Sequence, residues 1–535
     1  MLRTLASFLK SATAMSSPPP TSTVAKRVPI PKHGVDYRGK VVLAPMVRSG
    51  ELPSRLLALK YGADLVWGPE TIDRSIIGST RKFNPTTSTI DYTRTSQSQL
   101  ALPPEMRTES TLYSIHPALE SKHLIFQLGT ASPTLAVQAA QLIAADVAGI
   151  DVNAGCPKPF STAGGMGAAL LKTPDLLCAI LEALVANISP VFHIGISVKI
   201  RLLHDPADTE ALVRRLVRTG ITALTVHCRT TPMRPRERAI RDQLRMIVAI
   251  CHDAGVACVV NGDVADRAHA LALMAEYGAD GAMIATAAEK NPSVFRPVAD
   301  GGVLPWRVVA AEYIRTAMRV GNKWGNTKYL LQQIVPGKER AYKDLMPCRC
   351  YAAAVEVLRG HAGDGDVGGN GDVVGEADVQ LAAQTDALLG IPYGRASESK
   401  TEKKARIKDT RAEYKRVAAA YALSKGEGEG EGEGGEEVDV QEDGGEEQVA
   451  RYGDDTQQQH HAKRPSVSKE AEAEAEAEDK KAGGEAKVNI SPEQDSTSTN
   501  STNSTSEHID KKIKLPPLPA SSDAATAAGM QSIAV

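Results

Sequence analysis

One cysteine stands just past the end of an apolar run, in Ile150-Asp151-Val152-Asn153-Ala154-Gly155-Cys156-Pro157. The run ends in Asn153, and a turn of small residues then holds the thiol out on a loop. Pro157 stiffens that turn, and Gly155 lets a ligand approach the backbone closely. The segment Gly164-Gly165-Met166-Gly167 then leads into a helix. Strand, reactive loop, helix is how a β/α enzyme presents a side chain at the carboxyl ends of its strands. The same residues also suit a tight turn with an inert thiol, because a free cysteine is usually a small apolar residue and nothing more. Further candidates close other apolar runs: Met46, Gln127, Lys199 with Arg201, His227 with Arg229, and Asn261-Gly262-Asp263. Each alone could be a satisfied core polar group; a ring of them on one face marks a site.

The elements that must position this ring alternate along the chain. Strands are predicted over Val41–Ala44, Asp64–Trp67, Leu124–Leu128, Gly149–Asn153, Ser197–Arg201, Ala223–His227, Ala257–Asn261 and Gly281–Ala285. Helical patterns follow at Leu52–Tyr61, Thr134–Ala145, Thr173–Asn187, Thr209–Arg218, Gln243–Asp253 and Ala265–Tyr277, with a short helix after Pro292. Eight such units over about 260 residues have the size and rhythm of a (β/α)8 TIM barrel, an α/β fold. In such a barrel Asn261-Gly262-Asp263 and Ala285-Thr286 follow the last two strands, where backbone amides commonly bind phosphate. A doubly wound open sheet would show a glycine-rich dinucleotide fingerprint after its first strand, and Ala44-Pro45-Met46-Val47 is not one. One polar, Ser/Thr-rich insertion over 78–123 breaks the rhythm; Ser88–Tyr92 and Thr111–Ser114 are expected to pair within it as a hairpin.

At 535 residues the chain has room for two or three domains. Its net charge of −2 identifies no partner, because an acidic tail offsets a more basic front. The seven cysteines, without a repeated C-x-x-C pair, fit a reduced intracellular protein with no disulfide framework and no structural metal. No uninterrupted apolar stretch predicts a membrane span. Residues 1–35 contain no acidic residue but carry Arg3, Lys10, Lys26, Arg27 and Lys32, the make-up of a mitochondrial presequence or of a disordered leader. From Trp306 to Leu358 the pattern is helical, with Arg307, Arg315, Arg319, Lys323, Lys328, Lys338, Arg340 and Lys343 interleaved with Trp324, Tyr329 and Tyr342. That is either a solvated helical face or one that binds RNA phosphates. Glu376–Leu389 and Lys400–Leu423 are predicted as further helices, beyond a Gly/Asp loop at Gly360–Gly375. From Gly426 repeated Gly-Glu, Ala-Glu and Ser/Thr/Asn runs cannot bury a core.

The chain resembles the flavin-dependent tRNA-dihydrouridine synthases, and within them the eukaryotic branch acting at position 20 of the tRNA D-loop. The carriers are Ala44-Pro45-Met46-Val47-Arg48, Phe126-Gln127-Leu128-Gly129, the cysteine loop through Lys158, Ser161–Leu171, Val198-Lys199-Ile200-Arg201, Val226-His227-Cys228-Arg229, Val260-Asn261-Gly262-Asp263 and Asn326-Thr327-Lys328-Tyr329. The resemblance covers residues 38–355 and implies FMN as cofactor, NADPH or NADH as reductant and tRNA as substrate. It implies that Cys156 donates the proton to the target uracil. Pro45, Met46, Val47, Gln127, Lys199, His227, Asn261, Gly262, Asp263, Ala285 and Thr286 are then expected to hold the flavin, with Lys199 beside its pyrimidine edge. Asn153 and Arg201 are expected to contact the uracil. Ala285-Thr286 departs from the Gly-Arg or Ala-Arg usual there, so one arginine contact is missing.

The expected organisation is a leader over 1–35, a catalytic TIM barrel over 36–303, a smaller all-α tRNA-binding domain over 304–424 and a disordered acidic tail over 425–535. The expected protein is a monomer, cytoplasmic or nuclear, or mitochondrial if the leader is a presequence. Two alternatives stand beside it: a flavin barrel oxidoreductase on a free pyrimidine, of the dihydroorotate type, and a catalytically inactive tRNA-binding protein.

Overall fold

The structure is a computed structural model, and it describes residues 27–361, 374–392 and 400–425. The leader up to residue 26, most of the Gly/Asp loop before Val374, and the tail beyond residue 425 lie outside the described residues.

Eight parallel strands close into a barrel: β1 (Lys40–Leu43), β2 (Leu65–Trp67), β3 (Leu124–Gly129), β4 (Gly149–Ala154), β5 (Gly195–Leu202), β6 (Ala223–Thr230), β7 (Ala257–Asn261) and β8 (Gly281–Ile284). Each pairs with its sequence neighbours, and β1 with β8 shuts the ring. The intervening helices begin where the sequence marks a start. Pro133, Pro174 and Pro206 open three of them, where a missing N–H is harmless. Ser132, Asp205 and Asp266 cap three of them by accepting a backbone N–H in the first turn. Gly255 and Gly278 end two of the helices in the left-handed conformation.

The strands are apolar on both faces because both are covered. Their outward side chains, such as Leu128, Ile150, Val152, Val198 and Leu224, pack against the helices. The inward ones, among them Val42, Leu65, Trp67, Ile125, Val259 and Met283, fill the barrel itself with Tyr37 beneath them. The segment Pro174–Phe192 is long and apolar enough to cross a membrane by composition. Here it is a barrel helix and a following turn, burying Leu177, Ile180, Leu181 and Leu184.

Two local expectations are corrected. The short helix lies before Pro292, at Thr286–Lys290, and Asn291 then accepts the Ser293 N–H and starts a tighter 3-10 turn. The insertion is a three-stranded antiparallel sheet rather than a hairpin. Asp91 and Tyr92 do face Ser114 and Tyr113, but Thr80–Asn84 adds an edge strand on the other side. Most of its side chains are exposed, so no apolar alternation announced it. The insertion is bolted down by a buried ion pair: Arg55, on helix Leu52–Lys60, donates Nε and Nη2 to the two Glu120 oxygens at 2.8 Å each.

After the barrel, helices Trp306–Arg319, Trp324–Ile334, Arg340–Leu345, Tyr351–Gly360 and Glu376–Leu388 share a second apolar cluster. Leu57 and Tyr61, from helix Leu52–Lys60 and the residue after it, belong to that cluster too, so these helices are seated on the barrel. Asp386 caps helix Tyr351–Gly360 from outside, accepting the Tyr351 and Ala352 N–H groups at 2.9 Å. A long helix, Lys400–Ser424, follows.

Candidate active site

Register decides which side chains meet at the carboxyl ends of the strands. Asn153 of β4 lies opposite Lys199 of β5, Arg201 opposite His227 of β6, and His227 opposite Asn261 of β7. With period-two alternation these side chains all point into the barrel mouth. Gln127 enters one layer deeper, opposite Asp151, and donates Nε2 to its carboxylate at 2.9 Å. Ser197 donates to the other Asp151 oxygen at 2.7 Å. Burial pushes the Asp151 carboxyl above its usual range.

The cysteine loop is shaped by its neighbours. The Asn153 side-chain oxygen accepts the N–H groups of Gly155 and Cys156 at 3.0 and 3.1 Å, which turns the chain out of β4. Gly155 lies against β5, where a Cβ would sit 3.3 Å from the Ile200 carbonyl carbon; its bareness serves packing rather than ligand approach. Arg201 then fastens the loop, donating Nε to the Gly155 carbonyl at 2.8 Å and Nη1 to Thr230 at 2.9 Å. Gly167 has φ +57°, and a Cβ there would lie 2.3 Å from the Ser161 hydroxyl oxygen and 2.6 Å from the Cys156 carbonyl oxygen. Only glycine fits. Cys156 itself is partly exposed, whereas Cys228, Cys251, Cys258, Cys348 and Cys350 are buried. Burial, followed by the nearby Glu70 carboxylate, pushes the Cys156 thiol up to about 11.

The charges around the mouth are mostly positive. Burial, followed by repulsion from Arg201, pulls Lys199 down to about 8. Its ammonium has no hydrogen-bond or ion-pair partner among the described residues. Burial and the cations Lys199, Arg201 and Arg229 pull His227 well below the usual histidine range, so its ring is neutral. Its Nε2 lies 3.2 Å from the Arg229 guanidinium. At the end of β7, Gly262 has φ +118° and Asp263 φ +51°, so two successive residues take the left-handed side. The Asp263 carboxylate is occupied by Arg229, at 2.5 Å, and by the Ala239 N–H, at 2.7 Å. Asn261 donates to the Met283 carbonyl at 2.9 Å, tying β7 to β8 beside Ala285 and Thr286. Pro45, Met46 and Val47 follow the carboxyl end of β1, and the Arg48 guanidinium stacks 4.3 Å over the Tyr329 ring of the helical region.

Asn153, Lys199, Arg201, His227 and Asn261 are therefore brought together by register, with Gln127 one layer below. Asn153 and Arg201, expected to face a substrate, are engaged in building the loop. Glu70, which the sequence reading passed over, also reaches this site. Its signal was position: a charged residue just past β2, at the carboxyl end of a strand.

A family model described as dihydrouridine synthase matches residues 42–343. A Saccharomyces cerevisiae protein named tRNA-dihydrouridine(20) synthase [NAD(P)+] is 48% identical over 62% of this chain and 86% of its own length. A Schizosaccharomyces pombe protein of the same name is 50% identical over 57% of this chain and 61% of its own length. A mouse protein named tRNA-dihydrouridine(20a/20b) synthase [NAD(P)+]-like is 26% identical over 60% of this chain and 89% of its own. The matched span takes in every element that builds the mouth, and the chain belongs to the dihydrouridine synthase family.

Proposed function

We propose that this chain is a tRNA-dihydrouridine(20) synthase, reducing a D-loop uridine across its carbon-5/carbon-6 bond with NADPH or NADH as reductant and FMN as cofactor. The observation that carries the reading is a thiol held protonated on the β4 loop together with a lysine on β5 that has no hydrogen-bond or ion-pair partner among the described residues, in a barrel about half identical to proteins of that name.

The residues present fit FMN. An unpartnered ammonium in a buried mouth calls for an anion, and the pyrimidine edge of a reduced flavin is one. Gln127 keeps its side-chain oxygen for a ring N–H, since its amide nitrogen is committed to Asp151. The left-handed backbone at Gly262 and Asp263, with the acidic side chain neutralised by Arg229, suits a phosphate bound through amides. Ala285 and Thr286 close that side, Pro45, Met46 and Val47 the opposite one, and neutral His227 can serve as a hydrogen-bond partner. FMN held there would supply the redox chemistry, carrying hydride from the nicotinamide to carbon-6 of the uracil.

The chain's own part is proton delivery and positioning. Cys156 supplies the proton to carbon-5, a role for which a thiol rather than a thiolate is required. Asn153 and Arg201 hold its loop at the edge of the mouth, and Lys199 balances negative charge there. The test is direct. Purified protein, incubated with NADPH and an unmodified tRNA transcript, is expected to release FMN on denaturation and to place dihydrouridine at position 20. A protein that reduces free uracil or orotate but leaves tRNA unchanged would overturn the reading.

A further inference from the structure

We propose that Glu70 is the positioning residue of the proton donor: its carboxyl, seated over Gly129 and held by the Ser161 hydroxyl that packs beside the cysteine loop at Gly167, keeps the Cys156 thiol aimed at carbon-5. This rests on the reading of Cys156 given above.

The seat is built by the chain around it. Just past Glu70, Thr71 and Ile72 pair alongside the end of β3, opposite Leu128 and Gly129. A Cβ on Gly129 would lie 2.6 Å from Glu70 Oε1 and 3.1 Å from its Cγ, so the carboxylate occupies the space that glycine leaves. Fully buried Ser161 donates to Oε1 at 2.8 Å and is itself lodged against Gly167. The other oxygen, Oε2, is buried without a hydrogen-bond partner among the described residues. The remaining donors bearing on the carboxylate are the Asn153 amide, whose oxygen is already taken by the cysteine loop, and the Cys156 thiol. An unsatisfied buried carboxylate oxygen is costly, and a thiol proton is a partner for it.

The charges around Cys156 divide in a useful way. Lys199 and Arg201 favour thiolate; burial first, and then Glu70, oppose it, although burial raises the Glu70 carboxyl itself above its usual range. On donation the S–H bond breaks and a C–H bond forms at carbon-5, leaving a thiolate beside a carboxylate. Their repulsion drives the sulfur to take a proton back from solvent water, which resets the site.

The experiment reads the thiol directly. Iodoacetamide alkylation of Cys156 in the purified, cofactor-bound protein is followed by mass spectrometry of its peptide across the alkaline range. Glu70→Gln removes the opposing charge and is expected to lower the alkylation midpoint by about one pH unit, making alkylation about tenfold faster below it. Glu70→Asp, which keeps the charge, is expected to stay near the wild-type midpoint. Dihydrouridine formation is expected to fall about tenfold or more in Glu70→Gln with FMN content unchanged. An unmoved midpoint in folded Glu70→Gln would reduce Glu70 to a brace for the loop and overturn the inference. Should Glu70→Gln not fold, Gly129→Ala, which pushes the carboxylate off its seat, is read the same way. Failure of the underlying reading is separate: Cys156→Ala that still makes dihydrouridine would remove the thiol as donor, whatever the midpoint does.

Discussion

Burial acts in opposite senses on the two groups at the centre of the mouth. It keeps Cys156 a thiol, pushed up to about 11, and presses Lys199 toward neutrality, pulled down to about 8. The first is what a proton donor needs. Cys156→Ala is therefore expected to retain FMN and to oxidise NADPH at near-normal rate, because that half-reaction does not use the thiol. Uridine reduction should fall by about 10²- to 10⁴-fold, the usual worth of a positioned general acid. Single-turnover reduction of unmodified tRNA by pre-reduced protein, with flavin measured alongside, separates the two; near-wild-type product would mean another group gives the proton. The lysine makes a prediction about the flavin-free protein. Its folded-state pKa lies below the unfolded value, so between about 8 and the ordinary lysine range the unfolded chain binds more protons and stability rises with pH. Lys199→Met should remove that rise, so the variant gains stability relative to wild type at neutral pH and loses the gain as pH climbs. Denaturant midpoints at several pH values check it. A constant difference across the window would mean Lys199 is not strained by burial. Added FMN should cancel much of the strain and bind more weakly to the variant.

Among the elements, the insertion is the least self-sufficient, and its attachment is specific. Arg55 gives its guanidinium to Glu120, to Gly50 and to Ser114, and the Arg55–Glu120 pair is fully buried. Breaking such a pair from one side leaves a buried charge uncompensated, at a cost of about 3–5 kcal/mol. Glu120→Gln is thus expected to lower the unfolding free energy by that order, while Glu109→Gln, whose partner Lys82 is half exposed, should cost under about 1 kcal/mol. Equal effects in chemical denaturation would contradict the burial argument. The same contrast explains what could be read from the sequence. Strands β4 to β7 were legible because each is an apolar, β-branched run ended by a polar residue, and that residue, from Asn153 to Asn261, lands in the mouth. Thr80–Asn84 was not, since an exposed edge strand needs no apolar alternation. Arg201 was placed but its part in fastening the loop was not legible: its partners, Gly155 and Thr230, are backbone carbonyls distant in sequence. Glu70 was missed because β2 is three residues long and its Gly-Pro exit reads as an ordinary turn.

At the scale of the molecule, the question is how a barrel mouth finds one nucleotide of a folded RNA. The helical region beside it carries many cations, but they are not alike. Arg315 is bound to Asp378 at 2.8 and 3.0 Å and braces two helices, and Lys328 is held by the carbonyls of Met346 and Cys348. Reversing Arg315 would break the domain rather than report on RNA. Lys338, Lys343 and Arg349 are exposed, as are Arg234, Arg236 and Arg238 on the loop after β6. These are the cations able to displace counterions from phosphates. For a tRNA enzyme the dissociation constant should rise steeply with salt, and the log–log slope should flatten by roughly one for each phosphate no longer engaged. Lys338→Glu with Lys343→Glu is expected to flatten that slope and weaken binding at low salt, with the melting temperature unchanged. Arg315→Glu is expected instead to lower the melting temperature, because it leaves Asp378 facing a like charge. Filter binding of tRNA at several salt concentrations, with thermal unfolding of each variant, distinguishes the two. An unaltered slope in the double variant would assign those lysines to an ordinary solvated face, and leave the arginines after β6 to carry the phosphate contacts.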